Sequence, residues 1–274
     1  MPAVDEPIEE RNDPQGASWI SRLLRFDRDG DRFVAVGPEG AGGRLFGGLI
    51  AAQALGAACS TVIDDKLPQS LHLYFVRGGQ PDVDVEFYVE RTRDGRSFDT
   101  RRVTATQRGS VILEMLGSFH RPEPGADSHP PAPAMFGLDD TTDLLVPGEL
   151  ANRFDIRAPK NSRGFFSGPP YWIRSRGAIE DDPVTRACAL TYMSDIALMA
   201  AARPPDTPLV LDAGMAASLD HSIWFHRPFH AEEWHQYQTT SLNNNDSRGL
   251  VLGAFYDSTG MLVATIAQEA LWRR

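Results

Sequence analysis

The sequence is short of cysteine, of positive charge and of long apolar runs. Only Cys59 and Cys188 occur among 274 residues. Each lies in an Ala-rich stretch of helical character, one in either half, so they read as buried free thiols of a reducing compartment, not as a disulfide framework. The formal net charge of -10 disfavours nucleic acid as a partner but leaves room for a local basic pocket that takes a small anion. No apolar run reaches membrane-spanning length. The opening MPAVDEPIEERNDP is acidic and Pro-bearing, unlike a signal or transit peptide, and reads as a loose tail through Gly16.

Several motifs are missing as well. There is no G-x-S-x-G nucleophile elbow. The glycine loop Gly37–Gly48 runs into Leu49 and Ile50 where a Walker loop needs Lys and Ser or Thr, and it holds no G-x-G-x-x-G. HAEEWH is not H-E-x-x-H, and His221 and His226 face opposite sides of a strand, so no metal site is expected. Nothing calls for a cofactor.

What is present is a repeat. SLDHSIWFHRPF, from Ser218, has a weaker copy in SLHLYFVRGG, from Ser70. Arg77 matches Arg227 at an offset of 150 residues, and Gly109 matches Gly260 at 151. Two long units mean a duplicated domain, since solenoids need at least three short ones. The expected halves are 17–121 and 151–274. Between them lies a linker at 122–150, whose first part, PEPGADSHPPAP, holds five prolines. The stretch Asp139–Pro170 gives no clear pattern.

Each half carries a run of small and apolar residues that would be buried all round a helix: Gly48–Thr61 and Thr185–Ala202. Long alternating strands follow, and wrapping a curved antiparallel sheet around each helix is the simplest way to bury it. SWISRLLRFDRD offers a short amphipathic helix through Trp19, Leu23 and Leu24, and RFVAV and Tyr171–Arg174 read as strands. Separated halves are expected to expose unpaired edges and to resist folding alone.

Three side chains stand out in the second half. Asp195 is the one acid in its apolar helical run, where an unpaired carboxylate is costly. Either it is held by donors for a chemical purpose, or with Ser194 it caps a helix starting near Ile196. Gln268, in ATIAQEALW, falls by alternation on the inner face with Ala264 and Ile266, as a site residue or as a satisfied core amide. Ser218 supplies a hydroxyl at a strand edge. In the first half, Gly47 and Gly48 open the first buried helix, where free amides could meet an oxyanion or where glycine simply serves a tight turn. The five arginines from Arg91 to Arg102 read as a salt-bridged turn, with contact to an anionic ligand as the other use.

Together and in this order, RLFGGLIAAQAL, RDGRSFDTRRV, Ser194–Asp195, DHSIWFHRPF, SRGLVLGAFY and ATIAQE resemble the acyl-CoA thioesterase II (TesB-type) family. That resemblance implies an α+β double hotdog: two tandem repeats, each a curved antiparallel sheet around a long buried helix. It further implies hydrolysis of fatty acyl-CoA to fatty acid and coenzyme A, with Asp195, Ser218 and Gln268 orienting the attacking water. The position of Ser218 is often Thr in the family, and the hydroxyl survives the change. Gly47 and Gly48 are the implied oxyanion donors, and acyl-CoA is the implied partner of a homodimer or homotetramer. A cytoplasmic location is expected, since LWRR is not a Ser-Lys-Leu type signal. A hotdog enoyl-CoA hydratase and a non-catalytic acyl-CoA binding protein are the alternatives. One site is expected, because Gln268 falls opposite Gly117 and Ser218 opposite Pro68, and because Gly47–Thr61 contains no acid.

Overall fold

The computed structural model describes residues 16–38, 43–63, 65–146, 148–205 and 216–273. All of the expected N-terminal tail but Gly16, and 39–42 of the glycine loop, lie outside them. The first half runs α1 (Trp19–Leu23), β1 (Asp27–Asp29), β2 (Arg32–Ala35), α2 (Gly47–Cys59), β3 (Leu67–Phe75), β4 (Val85–Asp94), β5 (Phe98–Gln107) and β6 (Ser110–His120). The second runs β7 (Thr141–Asp143), α3 (Leu150–Arg153), β8 (Phe154–Pro159), β9 (Tyr171–Ser175), α4 (Pro183–Ser194), α5 (Leu198–Ala201) and β10 (Ala216–Ser218). It continues through β11 (Asp220–Phe225), β12 (His235–Asn245), β13 (Arg248–Tyr256) and β14 (Leu262–Trp272).

One antiparallel sheet carries both halves, in the order β1-β2-β4-β5-β6-β3-β11-β14-β13-β12-β9-β8-β7, with β10 on the margin of β14. The order is nearly a mirror about the β3–β11 seam, where Asp220 pairs with Tyr74 and Trp224 with Ser70. Alternation along the strands sends one face inward: Val85, Phe87 and Val89 of β4 are buried while Tyr88 and Glu90 are exposed. The hairpin between β5 and β6 turns on Arg108 and Gly109, both at positive φ (48° and 74°), the left-handed pair that a two-residue turn requires. The sheet wraps the helices, α2 buried at every residue from Gly48 to Ala58 and packed against α4. This is the double hotdog architecture.

Two expectations need correction. The second buried helix is not continuous over Thr185–Ala202: it stops at Ser194, Ala197 takes a left-handed φ of 60°, and α5 begins at Leu198. Asp195 therefore ends α4 and does not cap the start of α5, whose N-cap is Ala197. The physical reason is a pair of buried tyrosines. Tyr237 Oη donates to the carbonyl of Ser194 at 2.7 Å and Tyr171 Oη to that of Ile196 at 2.6 Å, satisfying oxygens that the break takes out of the helical ladder. Tyr171 and Tyr237 are register partners between β9 and β12. The partners at the matching place in the first half are Phe33 and Phe87, and there the helix is unbroken. The second correction concerns Asp139–Pro170, which contains β7, α3 and β8. In β8, Phe154, Ile156 and Ala158 point inward with Asp155, Arg157 and Pro159 between them.

Cys59 and Cys188 are free thiols; Cys188 is buried as expected, whereas Cys59, at the end of α2, is only partly so. Three of the five arginines from Arg91 to Arg102 are in charge pairs: Arg91 with Asp31, Arg102 with Glu114, and Arg101 with Asp94 and Asp99. Arg101 is fully buried, beside the Lys66–Asp99 pair at 3.0 Å. It also donates to Thr61 Oγ1 and the Thr61 carbonyl, which binds the end of α2 to the sheet.

Candidate active site

The two halves meet in chemistry as well as in the sheet. Helix α2 starts without a side-chain cap, since its N-cap residue is Phe46, and its first amides would be left as orphan donors. Asp195 supplies the cap from the other half: the Gly48 amide donates to Asp195 Oδ2 at 2.9 Å. The approach leaves no room for side chains. A Cβ on Gly47 would stand 2.7 Å from Asp195 Oδ2, and one on Gly48 would stand 2.5 Å from the Tyr192 carbonyl. The glycines serve this close packing of helix ends, which is neither a tight turn nor a phosphate loop.

Asp195 is a buried carboxylate between opposed influences. Burial pushes its pKa up to about 7, against the Gly48 amide and then the Gln268 side-chain amide, both of which favour the charged form. It is poised where a carboxylate can take or give a proton near neutrality.

Gln268 is fully buried on the inner face of β14. Its Nε2 donates to Ser218 Oγ at 2.9 Å, so its Oε1 is left to accept, and it takes the Nδ1 hydrogen of His221 at 2.5 Å. That fixes the tautomer: Nε2 of His221 carries the lone pair and faces Ser194 Oγ at 2.8 Å, whose single hydrogen is shared between this nitrogen and the Thr191 carbonyl at 2.9 Å. Burial holds His221 down to a pKa of about 4, so the ring stays neutral. The chain Ser194–His221–Gln268–Ser218 thus orients the amide through polar groups of three separate elements.

His221 was not among the expected site residues. The sheet register shows where its signal lay. Ser222 pairs with Ala267, which sets His221 opposite Gln268, and the matching pair in the first half is Leu71 with Gly117. An apolar residue in one copy has become an inward His in the other, beside a glycine that has become Gln.

Asp195, Ser218 and Gly47 line one cavity of about 690 Å³. Leu150, Phe165, Met199 and Ala200 form an apolar part of its wall, whereas Arg44 and Arg77 supply cationic side chains. Of the two glycines, Gly47 borders this space; the amide of Gly48 is engaged by Asp195. None of the arginines from Arg91 to Arg102 is among the lining residues.

Family models fit both halves: the acyl-CoA thioesterase N-terminal domain matches residues 36–120 and the C-terminal domain matches 124–272. The chain belongs to the acyl-CoA thioesterase family. It is a hydrolase of the thioester bond. Mouse acyl-coenzyme A thioesterase 8 is 36% identical over 261 residues, covering 84% of this chain and 80% of that one. Acyl-CoA thioesterase 2 of Haemophilus influenzae is 32% identical over 276 residues, covering 93% and 96%. Among solved structures, the acyl-CoA thioesterase II TesB2 of Mycobacterium marinum superimposes with a TM-score of 0.79 at 36% identity, covering 93% of this chain and 98% of that one.

Proposed function

We propose that the cavity takes a fatty acyl-CoA and that Asp195, Ser218 and Gln268 together activate the water that cleaves it. The observation that carries the reading is a buried carboxylate with its pKa near 7 on the wall of a largely apolar cavity, linked to Ser218 through the Gln268 side-chain amide. In its charged form Asp195 accepts a proton from water as the oxygen attacks the thioester carbonyl, while Ser218, held by Gln268, fixes the water's position. The carbonyl oxygen becomes an oxyanion, for which the Gly47 amide at the positive end of α2 is the donor. Collapse breaks the carbon–sulfur bond, and the proton on Asp195 passes to the departing thiolate.

The test is release of free thiol from a series of acyl-CoA esters of increasing chain length. Turnover that improves from short to long saturated chains is expected. Loss of enoyl absorbance without thiol release would instead indicate a hydratase, and binding with neither change a carrier.

The tyrosine pair gives a second test, since it holds the helix break that presents Asp195. Tyr171→Phe combined with Tyr237→Phe removes two hydroxyls and no ring. A misplacement of about 1 Å can cost on the order of 100-fold, so kcat is expected to fall about 10- to 100-fold with KM within about twofold. Unchanged kcat in the folded double variant would show that the break does not depend on these hydroxyls.

A further inference from the structure

The cavity has one feature that water activation does not use: two arginines on its wall, Arg44 and Arg77. Their surroundings are informative because the chain holds an internal control. Arg77 and Arg227 are the same residue of the two repeats and make the same backbone contacts. The Arg77 amide bonds the Ile112 carbonyl and its guanidinium the Val111 carbonyl at 2.9 Å. The Arg227 amide bonds the Val263 carbonyl and its guanidinium that of Leu262. Beyond this they part company. Arg227 is neutralised by Asp127 of the linker, whereas Arg77 has no carboxylate partner among the described residues, is exposed, and borders the cavity.

Arg44 reaches the same rim by a specific route. Leu45 is tied to the Gly79 carbonyl through its amide at 2.9 Å, which lays the segment before α2 alongside Arg77–Gly79. A Cβ on Gly78 would come within 2.8 Å of Arg44 Cδ, so glycine there lets the Arg44 stem cross the turn next to Arg77. Two guanidinium groups without carboxylate partners among the described residues are thereby brought together on a protein whose net charge is -10. A guanidinium is shaped to grip phosphate oxygens through two parallel bonds.

We propose that Arg44 and Arg77 are the phosphate subsite of the cavity, taking the anionic nucleotide arm of coenzyme A and directing the acyl chain toward Leu150, Phe165 and Met199. This rests on the acyl-CoA reading of the cavity but not on the water chemistry at Asp195.

Equilibrium binding of coenzyme A, dephospho-coenzyme A and pantetheine to the full chain tests it, by calorimetry with wild type, Arg44→Ala, Arg77→Gln and Arg77→Lys. Wild type is expected to bind coenzyme A more tightly than pantetheine. Arg44→Ala and Arg77→Gln are expected to weaken coenzyme A about tenfold each and to leave pantetheine within about twofold, with Arg77→Lys recovering part of the loss. If an arginine variant loses as much for dephospho-coenzyme A as for coenzyme A, that arginine holds the diphosphate; if the loss is confined to coenzyme A, it holds the 3′-phosphate. Equal weakening of pantetheine would assign the arginines to structure, and unchanged coenzyme A binding in both neutral variants would also overturn the proposal. A chain that releases no thiol yet binds coenzyme A through these arginines would sink the Asp195 chemistry and leave the subsite standing.

Discussion

Asp195→Asn is expected to lower kcat by about 10²- to 10⁴-fold, the range for losing a positioned general base, and to make the protein more stable above neutral pH. The two effects have one cause. In the folded chain burial raises the carboxyl to about 7, against about 3.9 when unfolded, so the folded state holds the proton more tightly. The stability that goes with that proton is full below about pH 4 and is lost as pH rises through about 7. Above that, the charged carboxylate costs on the order of 3 to 4 kcal/mol, which an amide does not. His221 works the other way. Its pKa of about 4 lies below the ordinary 6.5, so its contribution is full above about 6.5 and is lost as pH falls through about 4. Wild-type stability is therefore nearly flat, as far as these two groups decide it, between about pH 4 and 6.5. Denaturant unfolding of both proteins at pH 5 and pH 8 isolates Asp195 as the difference, which should be larger at pH 8. Wild-type kcat/KM should rise with pH to a plateau above about 7 as the base ionises. An Asn variant that kept about half its activity would mean an independent site in the first half, and one with wild-type stability at pH 8 would mean that the carboxylate is well solvated.

Separating the halves within Arg121–Pro133 is expected to abolish both folding and activity of each piece. The free edges of β3 and β11 would lose the ladder from Asp220–Tyr74 to Trp224–Ser70, and unpaired edges invite aggregation. Helix α2 would lose α4 and its cap, leaving the Gly48 amide without Asp195. The cavity would lose a wall, since Arg44, Gly47 and Phe75 come from one half and Asp195, Met199 and Ser218 from the other. Co-expressed halves that associate should recover activity. A single half that unfolds cooperatively as a soluble monomer would contradict the expectation.

The architecture was legible because its information is local and repeated: alternation along β4 to β6 and β11 to β14, two apolar helical runs, and one motif written twice. Asp195, Ser218 and Gln268 were singled out through the family resemblance and not through the repeat, whose first copy carries none of the three groups. The helix break was not, since ALTYMSDIALMAA contains neither glycine nor proline and the break is set by hydroxyls on Tyr171 and Tyr237, distant in sequence. His221 was hidden because its meaning depends on register, which puts it opposite Gln268. Strand β8 was hidden by its flanks, its FDIRAP alternation lying among glycine- and proline-bearing segments. Arg44 and Arg77 drew no notice because proximity to a cavity is a property of the fold, whereas the crowded arginines from Arg91 to Arg102 drew notice, and none of them lines the cavity.

The cap that Asp195 lends to α2 changes how damage should be distributed along the chain. A gene that doubles a domain and keeps one reactive centre would ordinarily free the spare copy to accumulate substitutions. Here the first copy supplies the Gly48 amide that grips the Asp195 carboxylate, through a contact in which even a methyl group at Gly47 or Gly48 collides with Asp195 or the Tyr192 carbonyl. Inactivating substitutions should therefore be as dense at the start of α2 as at Asp195 itself, although in the proposed chemistry every group that handles the proton belongs to the other half.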